Sequence, residues 1–280
     1  MAEVSVQSRL DQLARGWGVS VLDRFATASS LIATGQRDTQ PVVLKVVARD
    51  GDEWHAGDVL DAFDGAGVVR VVDRADGVLL LERAMPGTPL VDLVLDGRDA
   101  EATDIIADVL GRMTPRGSSR RFPTVQDWGR SFDRYVASGD HRIPGPLVAH
   151  AHHLYVELAA SQIEPRLLHG DLHHYNILYD ASRGWLATDP KGVVGEVEYE
   201  LGAALRNPYQ RPDLFAVPSV VRARIERFSA RPKLNSARVL AWAFSQAVLS
   251  AIWSIEDGLP VSEKDNPASR LARTIQPMLG

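Results

Sequence analysis

The run His169-Gly170-Asp171-Leu172-His173-His174-Tyr175-Asn176-Ile177-Leu178, followed by Asp189-Pro190, restricts the fold more than any other part of the chain. Asp171 and Asn176 sit five apart with no helical apolar period between them, so the segment reads as a rigid loop. Ile177-Leu178-Tyr179, the turn-rich Asp180-Ala181-Ser182-Arg183-Gly184 and then Trp185-Leu186-Ala187-Thr188 predict a short β-hairpin. A hairpin returns its two ends to one place, so Asn176 and Asp189 are expected side by side. Two oxygen ligands from two strand ends suit a hard cation such as Mg²⁺. With Asp171 close along the chain as a base, the set has the parts of a phosphoryl-transfer site. One Asn and one Asp hold the metal, and another Asp takes the proton of an acceptor hydroxyl.

Two other readings of these residues stand beside that one. A loop Asp or Asn is a common turn former. The cluster His169, Asp171, His173 and His174 would suit a transition metal, because imidazole is a ligand for Zn, Fe or Cu. That arrangement leaves the Asn176 and Asp189 spacing unused. The phosphoryl-transfer reading uses both and makes a demand elsewhere: a lysine on an upstream strand and an acidic partner on the helix after it. Lys45 lies amid Val42, Val43, Leu44, Val46 and Val47, a run in which burying an ammonium is costly unless a partner is present. On the solvent side of an edge strand it would need none. Glu53, eight residues on and near the start of the next helix, is the candidate partner.

The 280 residues are 45% hydrophobic and 24% charged, ordinary for a globular chain and enough for one large domain or two lobes. Zero cysteines exclude disulfides, Cys-ligated zinc and a thiol nucleophile, and fit a cytoplasmic protein. Met1 to Arg15 lacks the basic and apolar blocks of a signal peptide, and no run approaches the ~20 apolar residues of a membrane span. A net charge of −5 argues against nucleic acid as a partner and is compatible with a cationic small-molecule substrate.

Along the chain, a weak apolar period over 4–13 predicts a short helix. Val19 to Leu22, Leu31 to Thr34 and Val42 to Val47 read as an antiparallel meander. A helix over 52–63 follows, then strands Val68 to Val72 and Val78 to Glu82 around Asp76-Gly77. The Pro86-Gly87 punctuation marks a lobe boundary, giving a nucleotide-binding lobe over 1–84 and a catalytic and substrate-binding lobe over 85–280. The second lobe reads as mainly helical, with apolar stripes on Ala102 to Met113, Trp128 to Tyr135 and Leu147 to Leu158. Its last strong helix runs from Ser236 to about Asp257, with Leu240, Phe244, Ala247, Val248, Ala251, Ile252 and Ile255 on one face and Gly258 and Pro260 closing it.

Taken together, Val43-Leu44-Lys45, Asp52-Glu53, Leu79 to Arg83, Leu168 to Leu178, Trp185 to Pro190, Val194-Gly195-Glu196 and Trp253 to Gly258 resemble the aminoglycoside/hydroxyurea phosphotransferase family, in its streptomycin 6-kinase branch. The resemblance implies an α+β, bilobal, protein-kinase-like fold: a small antiparallel sheet with one helix, then a larger helical lobe. It implies ATP and Mg²⁺ as cofactors, Asp171 as the residue that takes or orients the hydroxyl proton, and Asn176 and Asp189 as metal ligands. Lys45, held by Glu53, would contact the α- and β-phosphates. The Glu82 carbonyl and Ala84 amide would bind the adenine edge, and Ser29 and Ser30 would lie in the loop over the phosphates. Three departures from protein kinases stand out. That loop has no glycine, Gly170 replaces an Arg that answers activation-loop phosphate, and Asp189-Pro190-Lys191 replaces Asp-Phe-Gly. The last two fit a small-molecule kinase without that switch.

A polycationic acceptor such as streptomycin needs carboxylates, which pair bidentately with guanidinium groups. Glu196, Glu198 and Glu200 alternate after the metal Asp, and Glu256-Asp257 end the long helix, with Trp253 one turn earlier as a platform for a sugar or cation. Glu256 and Asp257 are preferred to the alternating trio, whose members are equally well read as solvated surface charges. Trp253 is equally well read as core. The expected reaction is phosphorylation of streptomycin at the 6-hydroxyl, inactivating the antibiotic. The alternatives are hydroxyurea or an amino-sugar metabolite as acceptor, or a nucleotide-binding kinase relic without activity, which the intact Lys45, Asp171, Asn176 and Asp189 oppose.

Overall fold

The computed structural model describes residues 6–27, 30–47, 53–116, 122–230, 234–259, 261 and 266–279. The chain forms two compact units, one of residues 1–89, 109–117 and 176–191, the other of 90–108, 118–175 and 192–280.

The first unit begins with helix α1 (Val6–Gly16), then strands β1 (Val19–Ala26), β2 (Ser30–Arg37) and β3 (Gln40–Val47), helix α2 (Ala56–Phe63), and strands β4 (Val71–Ala75), β5 (Val78–Glu82) and β6 (Pro86–Pro89). Five strands make one antiparallel sheet in the order β1-β2-β3-β5-β4, so β3 is its centre, and the expected edge-strand option for Lys45 is removed. Leu10 and Ala14 of α1 pack with Ala33, Val42, Leu44, Val46, Val78 and Leu80 in a buried core on one face of the sheet. Two boundaries differ from the sequence reading. The helix begins at Ala56 rather than at 52. The apolar run Val68 to Val72 is not a strand along its length: Val68 and Val69 are both buried, and the Val69 amide donates to the Ala187 carbonyl at 2.9 Å. Consecutive buried side chains there serve packing against a later hairpin, so regular pairing starts only at Val71.

The second unit opens with helices α3 (Val91–Leu95), α4 (Asp99–Arg112), whose last residues return to the first unit, α5 (Val125–Ser138) and α6 (Gly145–Ala160). Thr124 and Asp127 form a reciprocal capping box that starts α5: the Asp127 amide donates to the Thr124 hydroxyl at 3.2 Å and the Thr124 amide to the Asp127 carboxylate at 2.9 Å. Strand β7 (Arg166–Leu168) leads into the loop that carries Asp171. Strands β8 (Ile177–Asp180) and β9 (Gly184–Ala187) belong to the first unit, where β8 also pairs with β6. Strand β10 (Val193–Gly195) pairs antiparallel with β7. Helices α7 (Val197–Leu205), α8 (Pro212–Phe215), α9 (Pro218–Ser229), α10 (Ser236–Glu256) and α11 (Pro267–Ile275) complete the unit.

Helix α10 is the centre of the second unit, packed against α5, α6, α7, α9 and α11. Its start is capped by Asn235, whose side chain accepts from the Arg238 amide at 3.2 Å, and Gly258 beyond its end adopts φ +73°. The expectation of a single apolar face is corrected: Ala241 to Leu249 are buried without interruption, because helices enclose this one from several sides. The same helix also corrects the reading that no run is apolar enough for a membrane. By length and composition it could span one, but 67% of its most apolar window is buried inside the protein, as a core helix requires.

Candidate active site

The first unit assembles its polar residues on β3 and on the hairpin. The register Ile177↔Ala187, Leu178↔Leu186 and Tyr179↔Trp185 is that of the predicted hairpin, and beyond it the Thr188 amide donates to the Asn176 carbonyl at 2.9 Å. Asn176 and Asp189 therefore stand at adjoining ends of one ribbon. The turn is held by Asp180, which accepts from the Ser182 hydroxyl and the amides of Ser182, Arg183 and Met85. Those bonds, the Ser182 hydroxyl foremost, hold the Asp180 carboxyl down to about pH 2.

Lys45 reaches the same ribbon from the sheet centre. Its side chain is 4% exposed, with Nζ 2.6 Å from Glu53 Oε2 and 2.7 Å from Asp189 Oδ1. Burial alone would lower its pKa, but the Asp189 and Glu53 charges outweigh burial and leave it above 10.5, so the ammonium is held charged. Asp189 has φ +57°, a left-handed backbone that a non-glycine residue adopts at a cost. An Asp carboxylate and an Asn amide at adjoining strand ends suit Mg²⁺, which keeps waters and phosphate oxygens as its other ligands. The alternative transition-metal cluster has no such support. Among the described residues no group of three or more His, Cys, Asp or Glu converges on a metal position.

Glu82 ends β5, where its carboxylate accepts from the Arg70 amide at 2.8 Å and pairs with Arg183. Ala84 is buried between β5 and β6. Ser30 begins β2, and its hydroxyl lies 2.9 Å from that of Thr27. Ser29 lies outside the described residues.

In the second unit, Asp171 follows β7 on a loop held from behind by Glu200 of α7. The buried Glu200 carboxylate accepts from the Gly170 amide at 3.0 Å and the Leu172 amide at 3.2 Å, the two residues flanking Asp171. Burial pushes the Glu200 carboxyl up to about 7 despite those bonds, with Asp171 adding to the rise. Gly170 has φ +81°, and a Cβ there would lie 2.9 Å from the Trp128 ring, so glycine is demanded twice over. Around the Asp171 carboxylate, Arg206 Nη2 stands 3.4 Å from Oδ1 and His173 Nε2 3.6 Å from Oδ2. The buried His169 accepts from the Asp171 amide at 3.2 Å through Nδ1. Burial, with Arg224 and His173 nearby, pushes the His174 pKa well below 6.5 and keeps it neutral.

The residues expected at the acceptor separate into two groups. Glu196 is 0% exposed, and its carboxylate accepts from Arg238 at 2.6 Å, the Ile163 amide at 3.0 Å and Trp242 Nε1. It ties the segment after α6 to α10, and its complete burial leaves no part of it exposed for the substrate role expected of it. Glu198 is likewise buried and accepts from the Asn235 amide at 3.1 Å. Trp253 and Glu256 remain half-exposed or exposed, with Glu256 Oε1 2.9 Å from Arg134 Nε and Trp253 Nε1 donating to Ser131 at 3.0 Å. Trp253 meets Trp128 edge-on at 5.6 Å, and Trp128 is the residue against Gly170. An aromatic surface thus runs from beside Asp171 to Glu256. In sequence Trp128 reads only as part of the apolar stripe on α5, which carries no sign of this position. Asp257 ends α10, exposed, with its amide donating to the Trp253 carbonyl at 2.9 Å.

Residues 17–258 match the family described as aminoglycoside/hydroxyurea antibiotic resistance kinase. A streptomycin 3''-kinase of Klebsiella pneumoniae is 35% identical over 240 residues, 84% of this chain and 87% of that protein. A hydroxyurea phosphotransferase of Kitasatospora aureofaciens is 32% identical over 245 residues, covering 78% and 66%. A streptomycin 6-kinase of Streptomyces griseus is 27% identical over 254 residues, covering 89% and 80%. Among solved structures, a thermostable mutant of aminoglycoside phosphotransferase APH(4)-Ia in complex with ADP and hygromycin B shares the fold. Its TM-score is 0.63 at 18% identity, over 98% of this chain and 99% of that one.

Proposed function

The chain belongs to the aminoglycoside/hydroxyurea antibiotic resistance kinase family and is a phosphotransferase, and we propose that it moves the γ-phosphoryl group of ATP to a hydroxyl of streptomycin. The observation that carries this reading is the buried Lys45 bonded at once to Glu53 and to Asp189, on the ribbon whose other end bears Asn176. In this reading the first unit binds nucleotide and the second carries the acceptor.

Lys45 holds the α- and β-phosphates, and Glu53 keeps its ammonium aimed. The Glu82 carbonyl and Ala84 amide take the adenine edge, with Ser30 over the phosphates. Asn176 and Asp189 would hold Mg²⁺, which when bound neutralises triphosphate charge. Asp171 orients the acceptor hydroxyl and takes its proton as the oxygen–phosphorus bond forms and the bond to ADP breaks, giving ADP and a phosphate ester. Trp253, Glu256 and Asp257 face the cationic acceptor, a guanidinium stacking on indole and pairing with carboxylate. ATP as donor supports a cytoplasmic site of action.

The test is ADP release from Mg-ATP with streptomycin, hydroxyurea and amino sugars as acceptors, with the product's phosphate position read by NMR. Streptomycin-dependent turnover supports the reading, and the position separates 6- from 3''-phosphorylation, since named relatives do both. Turnover with hydroxyurea alone would replace streptomycin with the acceptor named for the Kitasatospora relative.

A further inference from the structure

The Asp171 carboxylate is met by a cation from a distant part of the chain. Arg206, just past the end of α7 and with its side chain 9% exposed, places Nη2 3.4 Å from Asp171 Oδ1. Its Nη1 donates to Gln246 Oε1 at 3.1 Å. Gln246 sits in α10 between Phe244 and Val248, 4% exposed, and its Nε2 donates to the Tyr199 carbonyl. Room for this amide comes from Gly202 on α7, where a Cβ would overlap the Gln246 side chain. A guanidinium and an amide are thus buried together, joined by one hydrogen bond. Apolar side chains of the same volume would fill this space without the desolvation cost. Packing therefore does not account for the pair, whereas the contact at its far end does.

We propose that Arg206, anchored by Gln246, is a positioning residue that fixes the Asp171 carboxylate for the acceptor hydroxyl. Glu200 holds the backbone on either side of Asp171, and Arg206 holds the side chain, so the oxygen that meets the hydroxyl is set by two independent fastenings. A bidentate-capable, permanently charged guanidinium suits this better than an ammonium, since its planar fork can serve Gln246 and Asp171 at once. The proposal rests on Asp171 acting on the acceptor.

The experiment is a double-mutant cycle of R206Q and D171N, with R206K and Q246L alongside, measured on transfer to streptomycin and on slow ATP hydrolysis, where water is the acceptor. R206Q is expected to lower kcat roughly 10- to 100-fold with both Michaelis constants changed less than about 3-fold, as displacement of a catalytic group does. R206K is expected to recover part of the loss, and Q246L to lose rate in the same direction. In the D171N background R206Q should cost under about 2-fold, because its route runs through Asp171. An equal loss in both backgrounds, or a loss confined to KM, overturns the proposal and makes Arg206 a direct ligand of phosphate or acceptor. Unchanged kcat in R206Q also overturns it. Should R206Q fail to fold, R206K and Q246L complete the same cycle. Wild-type protein that hydrolyses ATP but ignores streptomycin counts against the acceptor assignment, while the hydrolysis arm still decides the role of Arg206.

Discussion

Lys45 Nζ lies 2.7 Å from Asp189 Oδ1, so the ammonium proposed for the phosphates is paired with the carboxylate proposed for the metal. The two charges are stored against each other, with Glu53 at 2.6 Å as the second counter-charge. In the proposed reading, Mg-ATP would exchange one ion pair for others of the same kind.

K45M is expected to lower kcat/KM for ATP roughly 10²–10³-fold, the usual loss when an electrostatic contact to a reacting group is removed. The pair also has a pH signature. The folded Lys45 pKa is raised above 10.5, its unfolded value, so the stabilisation is fully present below pH 10.5 and is lost as pH rises through the folded pKa. Denaturant unfolding of wild type and K45M between pH 7 and 11.5 checks this: their stability difference should stay level to about pH 10 and shrink above it. A difference flat to pH 11.5 would contradict it.

Glu200 gives a dependence of the same sign in a lower pH window. Its carboxyl rises from 4.5 unfolded to about 7 folded, so the folded state binds the proton more tightly. The group's contribution is fully present below pH 4.5 and is lost as pH rises through 7. Wild type relative to E200Q should therefore lose stability between pH 5 and 8. E200Q should also lose kcat, since its amide sets an NH2 against the Gly170 amide, which donates to both Glu200 oxygens.

Much of the site was legible because it is local or periodic. The hairpin could be read from two apolar runs around Asp180 to Gly184, and its register joins Asn176 to Asp189 as the spacing demanded. Lys45 and Glu53 are legible because so apolar a strand can bury an ammonium only against a counter-charge. The acidic residues of α7 were harder. Glu196, Glu198 and Glu200 alternate like a solvated face, yet each is buried by a partner remote in sequence: Arg238, the Asn235 amide, and the Gly170 and Leu172 amides. Local pattern holds no trace of such long-range partners. The same is true of Arg206, although Gln246 inside an apolar helix was a visible sign that something polar had to meet it.

The acceptor surface makes a separable prediction. W253A and E256Q should raise KM for streptomycin by about 10-fold or less each while leaving KM for ATP unchanged, because a half-exposed cation–aromatic or ion-pair contact is worth about 0.5–1 kcal/mol. The E256Q effect should shrink with added salt. Steady-state kinetics at two ionic strengths measure both, and a change in KM for ATP alone would place these residues elsewhere.

The central claim is that Asp171 acts on an acceptor hydroxyl in a chain that has bound ATP. Its most direct measurement is kcat for phosphate transfer from Mg-ATP to streptomycin in wild type and D171N, with nucleotide affinity determined on the same samples. The account predicts wild-type turnover, a fall of roughly 10²–10⁴-fold in D171N, and unchanged nucleotide affinity. Equal rates in the two proteins, or ATP consumption by wild type that ignores every acceptor offered, would contradict it.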